Sequence, residues 1–194
     1  MQKWPLLAIL LALLVGATFS VAQQQSSNQA MPTGKAFLKK AAEINLGEVE
    51  LGKLAEQKGN DPAVKDFGKR MVADHTKAEQ ELQPLAKQEG VTLPTQPGPA
   101  VTTLNQKLSS VSGAEFDQMY MDHMLSGHKG AINTFENEIE NGQNPAIKSY
   151  AEKVLPVIQD HIRIAEDVGG KMGLAGQQGL DDSYKAITAS AKPE

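Results

Sequence analysis

The same turn sequence occurs twice in this chain and divides it into two helical hairpins. Residues 59–62 read Gly-Asn-Asp-Pro, which combines a helix stop, a capping residue and a first-turn proline. Residues 141–145, Asn-Gly-Gln-Asn-Pro, repeat that order, and each proline is followed by a similar run, Ala-Val-Lys or Ala-Ile-Lys. These signals predict four long helices, at residues 35–58, 61–89, 113–141 and 144–169.

The linker between the two hairpins determines the topology of the fold. Residues 90–111 contain three prolines and then a polar stretch that is able to form one short helix. At about 3.3 Å per residue, the linker can travel the length of a helix of about 25 residues, or about 38 Å. A long crossover of this kind predicts an all-α, ferritin-like four-helix bundle made of two hairpins. An up-down-up-down bundle, with the linker folded locally, is the alternative.

Each long helix carries an apolar stripe in steps of three and four, as the inward face of a bundle requires. In the fourth helix, for example, the stripe passes through Val154 and Val157. Each stripe has one gap, and the gaps are filled by ionisable residues: Glu48, His75, His128 and His161. At 1.5 Å per residue, all four lie near the middle of the bundle in either topology.

A buried carboxylate is costly unless it is paired or bound to a metal. Three imidazoles and a carboxylate that face one another offer a four-coordinate site for Zn, Fe, Mn or Cu. The sequence therefore predicts one transition-metal ion at mid-bundle. A metal-free hydrogen-bonded core of histidine and glutamate is the alternative.

Further candidates lie close to these positions. Met121 and Met124 share a face with the inward histidine of the third helix, and thioethers favour Cu(I), although methionines at helical spacing are commonly core residues. His123 points away from that face and is a secondary candidate ligand. Asp74 and Asp160 each precede an inward histidine and are candidates to orient an imidazole, with surface exposure as the alternative.

The first 22 residues read as a cleavable signal peptide. Lys3 precedes an apolar run of about 14 residues, shorter than the roughly 20 that span a bilayer. Ser20 and Ala22 place small residues at the two positions that signal peptidase reads. An uncleaved membrane anchor is the alternative. We expect a flexible leader at residues 23–34, the helical bundle at residues 35–170 and a flexible tail at residues 171–194. We therefore expect a periplasmic or secreted protein with no membrane span after cleavage.

Composition excludes several classes of function. The net charge of −4 argues against a nucleic-acid partner, and the absence of cysteine removes disulfides and thiolate metal sites. No Gly-x-Ser-x-Gly motif or phosphate-binding glycine loop is present, so catalysis is the less favoured expectation. The expected role is metal handling or tolerance of envelope stress. A metal-free interaction module and a redox enzyme with an open metal position are the alternatives, and the protein partner and homo-oligomerisation stay open.

The sequence resembles an exported ferritin-like family, domain of unknown function 4142, whose members are often labelled predicted outer-membrane proteins. The resemblance covers about residues 35–170 and rests on several short runs, which are residues 36–38, 48–52, 70–75, 112–117 and 155–156. The recurring glutamate and three histidines of the family fall on Glu48, His75, His128 and His161. The resemblance implies a ferritin-like fold and export, and it implies no established reaction.

In the third long helix, the run from Phe116-Asp117 through Met121-Asp122, Met124 and His128 to Gly130-Ala131-Ile132 carries a second resemblance. It is similar to another exported ferritin-like family, domain of unknown function 305, some of whose members are linked to copper. Gly127 stands where that family usually has the first of two adjacent histidines. Ferritins proper carry a Glu-x-x-His pair on two helices, but Val72 and Ile158 lie three residues before the corresponding histidines here. This departure argues against a ferroxidase-type di-iron centre, and one metal ion or none is the expectation.

Overall fold

A computed structural model describes residues 32–173, and these residues form five helices and no strand. The helices are α1 (Lys35–Lys58), α2 (Pro62–Gln88), α3 (Pro99–Ser110), α4 (Gly113–Asn141) and α5 (Pro145–Lys171). The predictions made for the signal peptide, for nearly all of the leader and for the tail beyond residue 173 lie outside the described residues.

The two repeated turns start α2 and α5 in the same way. The side chain of Asp61 accepts a hydrogen bond from the N–H of Ala63, and Asn144 accepts one from the N–H of Ala146, at 2.8 and 2.9 Å. A proline occupies the first turn of both helices. A backbone N–H at that position has no partner within the helix, so its absence in proline removes no hydrogen bond. The four long helices therefore begin and end within two residues of the predicted positions.

Contacts at the two ends of α4 define the topology. Near its start, the carboxylate of Asp117 accepts the backbone N–H groups of Asn60 and Asp61, both at 2.8 Å, in the turn that precedes α2. Near its end, Glu138 accepts the N–H of Gly34, just before α1, at 2.6 Å. Helix α4 therefore runs parallel to α2, and the linker with α3 carries the chain back along the bundle. This confirms the crossover topology and excludes the up-down-up-down alternative.

Two apolar clusters fill the interior, one toward each end of the bundle. The first contains Phe37, Phe135 and Tyr150, and the second contains Phe67 and Tyr120. In α1, α2 and α4, the ionisable residue predicted to face inward falls between the positions that belong to the two clusters. In α5, His161 lies next to Ile162, the last residue of that helix in the first cluster. The core is therefore apolar at both ends and polar in its middle layer.

The buried face of α5 differs from the predicted stripe at one position. Val157 is 36% exposed, whereas Ile158 is 1% exposed and packs in the first cluster. The stripe takes a step of four after Val154, which keeps it in line with His161 three residues further on. The prediction for Val157 was wrong because steps of three and of four after Val154 both reach an apolar side chain, Val157 or Ile158.

Helices α1 and α2 approach each other closely at a pair of glycines. A Cβ added at Gly52 would lie 2.8 Å from the carbonyl oxygen of Gly68, and a Cβ at Gly68 would lie 2.8 Å from that of Gly52. Only glycine fits this crossing without moving a helix.

A helix that crosses a membrane needs about 20 predominantly apolar residues. None of the helices formed by residues 32–173 has the length and hydropathy to cross one.

Candidate metal centre

Helices α2, α4 and α5 each place one histidine in the polar middle layer. His75, His128 and His161 are all buried, with 3% of the surface exposed at most. One ring nitrogen of each lies within 4.8 Å of the corresponding nitrogens of the other two. The three ring centroids are 5.2 to 5.8 Å apart. The structure therefore brings the three predicted histidines together.

Each imidazole has one nitrogen that faces a hydrogen-bond acceptor outside the cluster. For His128, this is Nδ1, which lies 2.9 Å from the carbonyl oxygen of Met124. For His161, it is Nε2, which lies 2.8 Å from a carboxylate oxygen of Asp74. Because these oxygens only accept hydrogen bonds, both ring nitrogens must carry the hydrogen.

Asn45 fixes the hydrogen on the third ring. Its amide nitrogen lies 3.3 Å from a carboxylate oxygen of Glu79, so its amide oxygen is the atom that faces His75. That oxygen lies 3.1 Å from Nδ1 of His75, which must therefore donate.

The inner nitrogens of the three neutral rings are consequently bare. They are Nε2 of His75, Nε2 of His128 and Nδ1 of His161. The last two lie 3.3 Å apart with lone pairs facing each other, and Nε2 of His75 is buried without a hydrogen-bond partner. If the hydrogen of His128 moved to Nε2, its Nδ1 would face the Met124 carbonyl oxygen with a lone pair. If the hydrogen of His161 moved to Nδ1, its Nε2 would face the Asp74 carboxylate in the same way. A cation between the rings would satisfy all three nitrogens.

Burial keeps the rings neutral. It lowers the pKa of His75 well below its usual value, with a smaller effect from the two neighbouring histidines. It lowers the pKa of His128 to about 3. The pKa of His161 is also lowered by burial, although Asp74 opposes the shift. Neutral imidazole is the form that binds a metal.

Glu48, from α1, is buried beside this cluster but outside it. Its Oε1 lies 3.9 Å from Nδ1 of His128, which is the nitrogen bonded to the Met124 carbonyl and not an inner one. Its Oε2 is buried without a hydrogen-bond partner, and burial raises the pKa of the carboxyl to about 8. Of the four residues predicted to face one another, three histidines share a centre and Glu48 borders it.

The secondary candidates have different positions. Met121 and Met124 are core residues of the second apolar cluster, and His123 is only half-buried. Asp74 does orient a histidine, but across helices: it bonds to His161 and not to its neighbour His75. Asp160 forms ion pairs with Arg70 and Arg163 at the surface, and Arg70 also pairs with Asp74.

Asn45 is a hydrogen-bond partner of the cluster that was not predicted from the sequence. It lies three residues before Glu48, on the same face of α1, and is 1% exposed. That spacing was the available signal, because a polar residue on an inward face needs a buried partner.

The fold and the site together define a class of protein: an all-α crossover bundle whose middle layer holds three neutral, buried histidines. The chain belongs to the family described as Domain of unknown function (DUF4142), which matches residues 19–168. The first resemblance drawn from the sequence is thereby confirmed. No curated protein matches the chain.

Solved structures of DUF305 proteins share the fold. A DUF305 fragment from Deinococcus radiodurans is 13% identical, with a TM-score of 0.64 over 73% of this chain and 98% of that one. A DUF305 protein from Streptomyces coelicolor is 14% identical, with a TM-score of 0.62 over 73% of this chain and 95% of that one. At these identities the likeness concerns the fold alone, and it agrees with the second resemblance.

Proposed function

We propose that this protein binds one transition-metal ion through His75, His128 and His161. The observation that carries the proposal is the direction of the ring hydrogens: each ring donates outward, which leaves its other nitrogen bare. One nitrogen of each ring lies within 4.8 Å of a nitrogen of the other two, and the bare nitrogens of His128 and His161 are 3.3 Å apart. Outward hydrogen bonds to a carbonyl or carboxylate are the usual supports of metal-binding histidines, because they fix the tautomer and the ring orientation.

The donor set suits Zn, Fe, Mn or Cu, all of which accept imidazole nitrogen. Three protein ligands leave a fourth position for water or for a small movement of Glu48 toward the centre. If Glu48 completes the coordination, the site is closed, which favours storage or a structural role over catalysis. If water completes it, the position is open to a small reactant.

A metal-free hydrogen-bonded core fits the same residues less well. Such a core would need every buried polar atom to have a partner, whereas Nε2 of His75 and Oε2 of Glu48 have none. Protonation of His161 would supply a hydrogen to His128, but burial lowers the pKa of His161 and opposes it. Protonation of His161 would also leave Nε2 of His75 without a hydrogen-bond partner.

The apolar run and small residues within positions 1–22 support export by a cleavable signal peptide. We therefore place the metal-binding bundle in the periplasm or outside the cell. There it serves metal handling or tolerance of envelope stress, without a nucleic-acid partner.

The test is metal analysis of the mature protein, purified without an affinity tag and loaded in turn with Zn, Cu, Fe and Mn. We expect about one ion per chain for at least one metal, as a single three-histidine centre requires. His75→Ala and His161→Ala should lose it. His123→Ala is the matched control, since its ring lies outside the cluster, and it should retain the ion.

Metal-free protein after loading with all four metals would contradict the proposal and favour the interaction module. Retention of the ion in both His75→Ala and His161→Ala would place the metal elsewhere. Peroxide or oxygen turnover that disappears with the metal would identify the open-position enzyme.

A further inference from the structure

A cavity opens at the surface beside the buried histidines. It has a volume of about 380 Å³ and lies between α1, the first turn of α3 and α4. Its wall is mainly apolar, including Ile44, Val101 and Ala131, but Glu48 and His123 also line it. These two are side chains of the kinds that bind transition metals.

Gly127 makes both of these groups accessible from the same space. A Cβ added there would lie 3.5 Å from Nε2 of His123 and 3.9 Å from Oε1 of Glu48. Because residue 127 has no side chain, the imidazole and the carboxyl border one gap in the wall. Any larger residue at this position would enter that gap.

Glu48 connects the cavity to the histidine cluster. It lines the cavity, is 7% exposed, and its Oε1 lies 3.9 Å from the ring of His128. Its Oε2 is buried and lacks a hydrogen-bond partner. The three clustered histidines do not line the cavity and are almost completely shielded from solvent. An ion that reaches them from solvent needs a route, and the carboxyl group of Glu48 lies between this cavity and the ring of His128.

We infer that this cavity is the port through which a metal ion reaches the three histidines, with His123 and then Glu48 as temporary ligands. The inference rests on the proposed function, since it needs a metal centre to supply. It assigns to Glu48 a role in transfer, separate from permanent coordination.

The experiment measures how fast Co²⁺ binds to and leaves the metal-free mature protein, followed by its absorption in stopped flow. Gly127→Leu fills the port, so it should slow association and dissociation by the same factor, about tenfold or more, and leave the affinity unchanged. Glu48→Gln keeps the shape but removes the ligand charge and should also slow association. Ser126→Leu and Glu115→Gln, both exposed on α4 and outside the cavity lining, are the matched controls and should bind at the wild-type rate.

Equilibrium loading of each variant separates the port from the centre. Full loading of the two port variants after long incubation, combined with slow kinetics, supports the inference. Wild-type kinetics in both port variants would overturn it and leave the metal centre intact. Weaker equilibrium binding in Glu48→Gln with an unchanged association rate would also overturn it, because Glu48 would then be a permanent ligand. A wild-type protein that binds no metal at all would overturn the proposed function as well.

Discussion

At the scale of single residues, Asn45 determines which nitrogen of His75 is free. Its amide group contacts the carboxylate of Glu79 on one side and the ring of His75 on the other. The amide cannot turn over without placing its oxygen against the carboxylate. One buried side-chain amide, which is not itself a proposed metal ligand, therefore sets both the orientation and the tautomer of the His75 ring.

Replacement of Asn45 should weaken metal binding although no proposed ligand is lost. We expect Asn45→Ala to lower the affinity by about 10- to 100-fold, the usual effect of losing a hydrogen bond that supports a ligand. The affinity is measured by competition with a chromophoric chelator. Asn105→Ala is the control, because Asn105 bonds to Glu50, outside the cluster. Equal affinities in the two variants would show that Asn45 has no part in the centre.

The residue-level pattern could be predicted from sequence only in part. Histidine at a gap in an apolar stripe indicated burial, and the structure buries His75, His128 and His161 together. Helical periodicity gives the direction of a side chain and its height, but not which edge of a ring it meets. For this reason the position of Glu48 beside the outer nitrogen of His128 could not be foreseen.

At the scale of elements, the crossing of α1 and α2 depends on two glycines that face each other. Gly52 and Gly68 each lie against the backbone carbonyl of the other. The close crossing holds the hairpin that carries Glu48 and His75 in register. Gly130 in α4 has no atom within 4 Å of an added Cβ, so it offers a glycine in a helix without this constraint.

These glycines should respond to alanine with opposite signs. Gly68→Ala overpacks the crossing and should lower the free energy of unfolding by about 1–3 kcal/mol. Gly130→Ala meets no obstacle and should raise it by about 0.5–1 kcal/mol, since alanine favours the helix. Urea unfolding measures both values. A Gly68→Ala protein as stable as the wild type would mean that the two helices separate without cost.

Helix ends were predictable because capping and proline chemistry act locally. The repeated turns at residues 59–62 and 141–145 fixed the bounds of the hairpins to within two residues. The crossover was favoured by linker length alone, and the contact of Asp117 with the first turn decides it. The face of α5 at Val157 was missed since consecutive apolar residues fit more than one step.

At the scale of the whole molecule, the polar layer makes stability depend on pH in two opposite ways. Burial lowers the pKa of each clustered histidine from 6.5, so below that pH the unfolded chain binds more protons and stability is lost. Burial raises the pKa of Glu48 from 4.5 to about 8, so the folded chain holds a proton that the unfolded one releases. That contribution to stability is lost as the pH rises through about 8.

The metal-free protein should therefore be most stable near pH 6.5, where the effect of the clustered histidines ends and that of Glu48 continues up to about pH 8. Below this pH, three histidines outweigh one glutamate and stability falls with acid. Above it, stability should fall by no more than about 1.4 kcal/mol per pH unit, the effect of one proton. Urea unfolding in the presence of chelator measures the profile. Glu48→Gln should lose the alkaline slope and keep the acid one, and a wild-type protein that gains stability from pH 6.5 to 8 would contradict this assignment.

A single ion at the centre would join three helices through three nitrogens, and ¹⁵N NMR of the histidine rings during a Zn²⁺ titration observes those nitrogens directly. At pH 7 the metal-free protein should show three neutral clustered rings, with the hydrogen on Nδ1 of His75 and His128 and on Nε2 of His161. One equivalent of Zn²⁺ should then shift the three bare nitrogens, Nε2, Nε2 and Nδ1 respectively, and further metal should change nothing more. Rings that are charged before metal is added, or bare nitrogens that do not respond to it, would contradict the account.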